Sequence, residues 1–214
     1  MTGMPAHEPD EEQRTRARYR ALWDAHGDSY RTLDWGSDAS QQQRFAVLAE
    51  GLPLAGCRLL DVGCGLGHFA DWLDERGIAL DYTGLDLTAE LVAHAERRRR
   101  GRRFVTGSVV DPAVLHGARF DVVVASGLFA TYPNGGMPWM RDVITRMWHW
   151  TDTALAFNSL SAWATVSDPA EFHADPAEVL HFCGTLSHRV WLRHDYHPRD
   201  FTVQLWKGAP DVAR

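Results

Sequence analysis

The stretch LLDVGCGLGHFADWL, Leu59 to Leu73, puts a carboxylate, three glycines at every second position and the start of a helical pattern in one run. A strand that turns tightly into a helix presents backbone N–H groups at the helix N-terminus, a device that binds nucleotides. The dinucleotide pattern Gly-x-Gly-x-x-Gly is not met, because after Gly63 and Gly65 the third glycine, Gly67, comes one residue early. No Gly-Lys-Ser/Thr follows, so the loop is not the phosphate cradle of an NTPase. Asp61 stands two residues before the first glycine, where a carboxylate orders loop amides or meets a cationic group. Asp86 closes the next apolar stretch, DYTGLDL, 19 residues after Gly67, and is placed to accept both hydroxyls of a ribose.

An adenosine with a positively charged amino-acid tail and no phosphates satisfies these features together. S-adenosylmethionine is that ligand, with S-adenosylhomocysteine as its demethylated product.

The elements that must hold these residues read as alternating strands and helices. Helices are expected over 11–28 and 37–50, the second capped by Ser40 or Asp38. Strands follow at 57–64, 81–87, 103–108, 119–127 and 153–160, with helices at 67–77, 88–100 and 138–150 between them. Thr88 reads as the cap of the helix over 88–100, and a loop of Tyr132, Pro133, Asn134, Gly135 and Gly136 follows the fourth strand. Asp175 caps a further helix with Pro176 in its first turn. HRVWLRHDY (188–196) and DFTVQLWKG (200–208) are joined by a few residues and form an antiparallel hairpin. The fold class is therefore α/β: a seven-stranded, mostly parallel sheet with its last strand antiparallel and helices on both faces. The expected domain limits are a disordered 1–10, a helical cap or lid over 11–56, the main domain over 57–208 and a tail over 209–214.

LLDVGCGLGHFADWL, YTGLDLT and FDVVVASGLF resemble, in order and spacing, the class I S-adenosylmethionine-dependent methyltransferases. The resemblance covers about residues 57–160, and it implies a role for each matching position. Asp61, Gly63 and Gly65 would line the methionine part of the donor, with Cys64 between the glycines counted in the cofactor-binding loop, Asp86 the ribose and Leu87 one adenine face. The family places an acid directly after a glycine at the end of strand three. Here Gly107-Ser108 departs from that pattern, leaving Ser108, the backbone of Val109, or Asp111 reaching back to read the adenine. Ala125 and Ser126, at the end of strand four, would face the amino-acid moiety and the methyl group. His68 reads as a surface or packing residue and Cys64 as a small buried filler.

In an open parallel sheet the ligand lies beyond the carboxyl ends of the strands, which selects the acceptor-side candidates. Asn158 on strand five, with His194 and Tyr196 in the hairpin turn, are the candidate catalytic groups. Tyr30, Tyr132, His173, Asp195 and His197 lie at the same edge. A lid formed by LDWGSDASQQQRF would bring Trp35, Gln41 and Arg44 to the cofactor or the acceptor. Strand four ends Ala-Ser-Gly-Leu, lacking both the Pro-Pro-aromatic motif of base and glutamine methylation and the acid of catechol-type metal sites. The expected activity is metal-independent transfer to oxygen or nitrogen of a small metabolite. Trp139, Trp163, Phe172 and Tyr132 suggest a partly apolar or cationic acceptor pocket.

Composition narrows the alternatives. The chain has 214 residues, 45% hydrophobic, and nine tryptophans, enough for one well-buried core. Three cysteines make neither a disulfide framework nor a paired zinc site, and no stretch reads as a secretory signal or membrane span. A cytoplasmic monomer or homodimer is expected. The net charge of −6 disfavours nucleic acid as the main partner. The run RRRRGRR, Arg97 to Arg103, holds six of the 22 basic residues and reads as a solvated helix end far from the site. The competing readings are an RNA methyltransferase using that run, a nicotinamide oxidoreductase and a non-catalytic S-adenosylmethionine-binding protein.

Overall fold

The computed structural model describes residues 9–131 and 136–208. Residues 1–8, the tail at 209–214 and the loop residues Tyr132, Pro133, Asn134 and Gly135 lie outside the described residues. Seven strands, β1 (Arg58–Val62), β2 (Asp81–Asp86), β3 (Arg103–Thr106), β4 (Phe120–Ala125), β5 (Thr151–Leu160), β6 (Arg189–Arg193) and β7 (Asp200–Trp206), form one sheet. Their order is β3-β2-β1-β4-β5-β7-β6, and β7 runs antiparallel to both its neighbours. The helices are α1 (Pro9–His26), α2 (Asp38–Ala49), α3 (His68–Glu75), α4 (Ala89–Arg98), α5 (Gly136–Trp150) and α6 (Pro176–Leu186), with one 3-10 turn at Leu128–Thr131.

Alternation along the central strands divides the core into two layers, as a period of two requires. Leu60, Val123, Leu155 and Val203 pack with α5 and α6, while Leu59, Val122, Val124 and Ala154 pack with α2, α3 and α4. Helices cover both faces at the centre of the sheet, which is why β4 is continuously apolar and buried from Val122 to Ala125. No helix among the described residues is long and apolar enough to cross a membrane.

Two helix starts depart from the sequence reading. The first helix starts at Pro9, so residues 9 and 10 are helical rather than disordered. Helix α2 is capped by Ser37, whose side chain accepts from the Ser40 amide, and neither Asp38 nor Ser40 is the cap. Ser37 has the extended backbone an N-cap needs, with φ at −161°, whereas Asp38 is already inside the helix. Asp175 caps α6 as expected, through the Ala177 amide.

The arginine run is not simply solvated. Arg99 is buried and pairs with Asp71 of α3, Arg102 pairs with Asp74 and bonds the Leu80 carbonyl, and Arg98 meets Asp28 at 3.3 Å. These arginines fasten α4 and the turn before β3 to α3 and to the chain just beyond α1.

Candidate functional site

The strand order reverses between β1 and β4, and a cavity of about 930 Å³, counting its open mouth, lies beyond their carboxyl ends. The glycine loop forms one wall. Gly63, Gly65 and Gly67 all have left-handed backbone, with φ of 74°, 53° and 78°, where a side chain is strained. At Gly65 the second reason is space: a Cβ there would lie 2.4 Å from Leu33 Cδ2. The amides of Gly63 and Cys64 both donate to the Leu85 carbonyl, at 2.7 and 3.1 Å, which folds the loop against β2. Gly84 permits this, because a Cβ in its place would meet Cys64 Sγ at 2.6 Å and Phe104 at 2.8 Å. The glycine of the Gly-x-Asp element thus serves packing, and the aspartate serves the cavity.

Asp86 accepts from the Gly65 amide and the Thr88 amide, each at 2.8 Å, through different oxygens. Burial pushes its carboxyl above the ordinary value, although those amides pull it back. Asp61 is buried and accepts a 2.6 Å bond from the Tyr82 hydroxyl. Burial raises Asp61 to about 7 against the pull of Tyr82, and the neighbouring charge of Asp86 adds to the rise. Two carboxylates facing one apolar-walled space, each reluctant to ionise alone, form a site suited to a cation.

Of the expected cofactor residues, Asp61, Gly63, Cys64, Gly65, Asp86, Leu87, Ser108, Val109, Ser126 and Trp35 all line this cavity. Ala125 is buried in β4 behind them and does not line it. Arg44 is also absent from its wall. His68 is more engaged than a surface residue, since it lines the cavity and pairs with Gln41 and, at 3.0 Å, with Asp28.

Sequence reasoning missed the part played by α1, whose Thr15 and Tyr19 close the cavity from above. Glu12, Thr15 and Tyr19 sit at helical spacing i, i+3 and i+7, and that stripe was the available signal. Glu12 accepts a hydrogen bond from the Ser108 hydroxyl, and Ser108 Oγ also accepts from the Val110 amide. A carboxylate therefore does stand beside the tip of β3, delivered by a distant helix. Asp111 does not reach back: it caps its own turn through the Ala113 amide.

Trp35 and Leu33 belong to the segment between α1 and α2 and lean onto the site. Trp35 stacks over the Arg44 guanidinium at 4.8 Å and packs on Gly127, where a Cβ would lie 2.9 Å from its ring. Between them Asp34 holds a left-handed conformation, φ 62°, uncommon without glycine.

A second cavity of about 630 Å³ adjoins the first and shares Tyr19, Leu33, Trp35, Gly127 and Thr131 with it. Asn158 and Arg44 line this one. Asn158 accepts from the Gly127 amide at 2.7 Å and donates to Ser126 Oγ at 3.0 Å, so it fixes the loop after β4. Arg44 forms a buried pair with Asp200, which also takes His197 at 2.6 Å. Burial and the Arg44 charge hold the His197 imidazole below its ordinary value. His194 and Tyr196 line neither cavity: His194 meets Ser161 Oγ at 2.7 Å, and the Tyr196 hydroxyl meets Thr202. Of the expected acceptor-side aromatics, Trp139 lines the first cavity, and Trp163 is exposed and stacks beside His194.

Residues 60–151 match a family model described as a methyltransferase domain. The Mycobacterium tuberculosis protein Rv1506c, which carries a methyltransferase name, is 30% identical over 159 residues, 70% of this chain and 92% of that protein. Magnesium-protoporphyrin O-methyltransferase of Rhodobacter capsulatus is 34% identical over 119 residues, 52% of this chain and 50% of the relative. Among solved structures, magnesium protoporphyrin IX methyltransferase from Synechocystis PCC 6803 with bound SAH is alike in fold. Its TM-score is 0.65 at 14% identity, covering 93% of this chain and all of that one.

Proposed function

Because this chain belongs to the class I S-adenosylmethionine-dependent methyltransferases, we propose that it moves the donor's methyl group to an oxygen of a small metabolite without a metal ion. The observation that carries the reading is the convergence of Gly63, Gly65, Asp61 and Asp86 on one cavity beyond the β1–β4 reversal. The residues themselves fit S-adenosylmethionine. The left-handed glycines bring main chain to the cavity with no Cβ in the way, and two buried carboxylates await a cationic, hydroxyl-bearing ligand. When bound, the sulfonium supplies an activated methyl carbon.

The chain's own residues bind, orient and exclude water. Asp86 holds the ribose diol, Leu87 lies on the adenine, and Asp61 faces the amino-acid tail. Ser126 and Gly127, fixed by Asn158, border the place where the second cavity opens. The tip of β4 carries no acid, in keeping with chemistry that relies on alignment rather than a metal. Oxygen is favoured as the acceptor atom because the Rhodobacter relative is named an O-methyltransferase. Arg98, Arg99 and Arg102 of the arginine run pair with Asp28, Asp71 and Asp74, which supports a structural role for that part of the run over an RNA-binding one.

Transfer of labelled methyl from S-adenosylmethionine to an acid-soluble metabolite extract tests the reading. Label in a small product supports it; saturable donor binding with no transfer leaves a binding protein instead.

Glu12 takes the place of the acid missing after β3 and accepts from the adenine amino group. Glu12→Gln is expected to weaken S-adenosylhomocysteine binding about fivefold in calorimetry, consistent with the loss of one charge-assisted bond. It should also narrow the preference over S-inosylhomocysteine, and an unchanged preference would remove Glu12 from the adenine. Trp35→Ala, which opens the lid over Gly127 and Arg44, is expected to cost about tenfold in the same affinity. An affinity equal to wild type would mean that the segment does not close over the donor.

A further inference from the structure

The outer wall of the first cavity is its least firmly held part. Thr15 and Tyr19 of α1 close it, and the strap at 27–36 leans in, with Leu33 against Gly65 and Trp35 against Gly127. Among the described residues of α1, Thr15 alone is buried. A helix with so little burial belongs to the low-stability end of a fold, where local opening begins. Helix α2 is held differently. The buried Arg44–Asp200 pair and the Gln204 bonds to the Leu48 and Glu50 carbonyls tie it to β7. The movable piece therefore runs from α1 to the α2 cap at Ser37, with a left-handed Gly27 (φ 58°) joining helix to strap.

One carboxylate pins this piece to the body. Asp28, next after Gly27, offers Oδ1 to His68 Nε2 of α3 and Oδ2 to His94 Nε2 of α4, each at 3.0 Å. Arg98 of α4 reaches the same carboxylate at 3.3 Å. The His68 and His94 side chains are 16% and 17% exposed against 59% for Arg98, so solvent screens the arginine arm most. Burial opposes the Asp28 charge, but the two imidazoles outweigh it and hold the carboxyl below its ordinary value. Asp28 thus stays ionised where histidines titrate, and the imidazoles set the strength of the contact. His68 keeps its place in either state. Gln41 Oε1 accepts from a protonated Nδ1, and a turned amide offers Nε2 to a neutral one. The His94 ring also lies against Trp23 of α1, at 4.7 Å. The other charges nearby are engaged: Glu90, one turn before His94, pairs with Arg20 of α1 at 3.5 Å, and Asp71, on the helix of His68, pairs with Arg99. Asp61 and Asp86 face the same cavity as His68.

We propose that Asp28 is a proton-controlled latch on the donor site. With His68 and His94 protonated, a carboxylate held by two cations locks α1 and the strap over the ligand. As they lose their protons, charge-assisted bonds become weaker neutral ones and the wall opens more readily. The inference rests on the donor reading above, which puts S-adenosylmethionine behind this wall.

The test follows release of S-adenosylhomocysteine from the full chain by stopped flow at pH 6 and pH 8, for wild type and Asp28→Asn. The amide keeps the carboxylate's shape and takes up no charge. Asp61 titrates in both proteins, so its contribution cancels in the ratio of their release rates at each pH. Release from the variant should be about tenfold faster than from wild type at pH 6 and within about threefold of it at pH 8. His94→Gln, which lies outside the cavity, should release about threefold faster than wild type at pH 6. It carries the test alone if Asp28→Asn does not fold. A ratio equal at the two pH values, or larger at pH 8, would make Asp28 a structural tie only and overturn the proposal. Release no faster than wild type at pH 6 would overturn it too. Absence of S-adenosylhomocysteine binding by wild type would instead overturn the donor reading beneath it.

Discussion

Replacing Asp86 with alanine is expected to weaken S-adenosylhomocysteine binding at least a hundredfold, with little change in the melting temperature of the ligand-free protein. Hydrogen bonds to a charged group contribute about 1.5–3 kcal/mol each, and a ribose diol offers Asp86 two of them. The same carboxylate accepts from the Gly65 and Thr88 amides, so its loss also frees the loop that must be ordered for binding. In the empty protein these gains are offset, because the carboxylate is buried against its preference. Affinity should therefore fall much further than stability. Calorimetry paired with thermal melting checks this, and a variant that binds within threefold of wild type would show that the acid at the tip of β2 does not grip the sugar.

Asp61→Asn carries the second large effect, and its two consequences have opposite signs. The Asp61 carboxyl is raised from its ordinary value of 3.8 to about 7 by burial, with Asp86 adding to the rise. In that interval the folded protein binds more protons than the unfolded chain, so stability falls as pH rises. The stabilisation by the protonated form is complete below the unfolded value and lost as pH climbs through about 7. Melting temperature of the ligand-free wild type is expected to drop between pH 5 and pH 8 for this reason. The substituted amide would carry no charge at any pH while still accepting from Tyr82, so the variant should melt higher than wild type at pH 8. Donor affinity should move the other way. The ionised carboxylate faces the cationic tail, so wild-type affinity for S-adenosylhomocysteine should rise with pH by up to about tenfold per unit below 7. In Asp61→Asn it should be at least a hundredfold weaker at pH 8 and nearly flat with pH. Equal affinity in the variant would sever Asp61 from the ligand.

The residues that line the first cavity were legible because their parts are local. A strand, a loop and a helix start fall within Leu59 to Leu73, and one further strand tip brings Asp86; periodicity and glycine placement carry both. The adjoining strand tips gave Ser108, Ser126 and Asn158 for the same reason. What the residues could not reveal is where α1 docks. Thr15 and Tyr19 reach the cavity only through tertiary packing, and Glu12 reaches Ser108 at the tip of β3 from nearly 100 positions away. The hairpin turn misled in the opposite direction. His194 and Tyr196 sit at the right strand end, but their side chains are taken up by Ser161 and Thr202, whose positions depend on the β5–β7 pairing. Trp35 and Arg44 were both legible as a pair near the site, yet of the two Trp35 borders both cavities while Arg44 borders the second alone.

Titration of S-adenosylhomocysteine into the wild-type chain at pH 8 addresses the donor cavity most directly. One saturable site of micromolar or tighter affinity, with a matching rise in melting temperature, is the outcome that these glycines and carboxylates require. Flat heats and an unmoved melting curve at millimolar ligand would contradict the account.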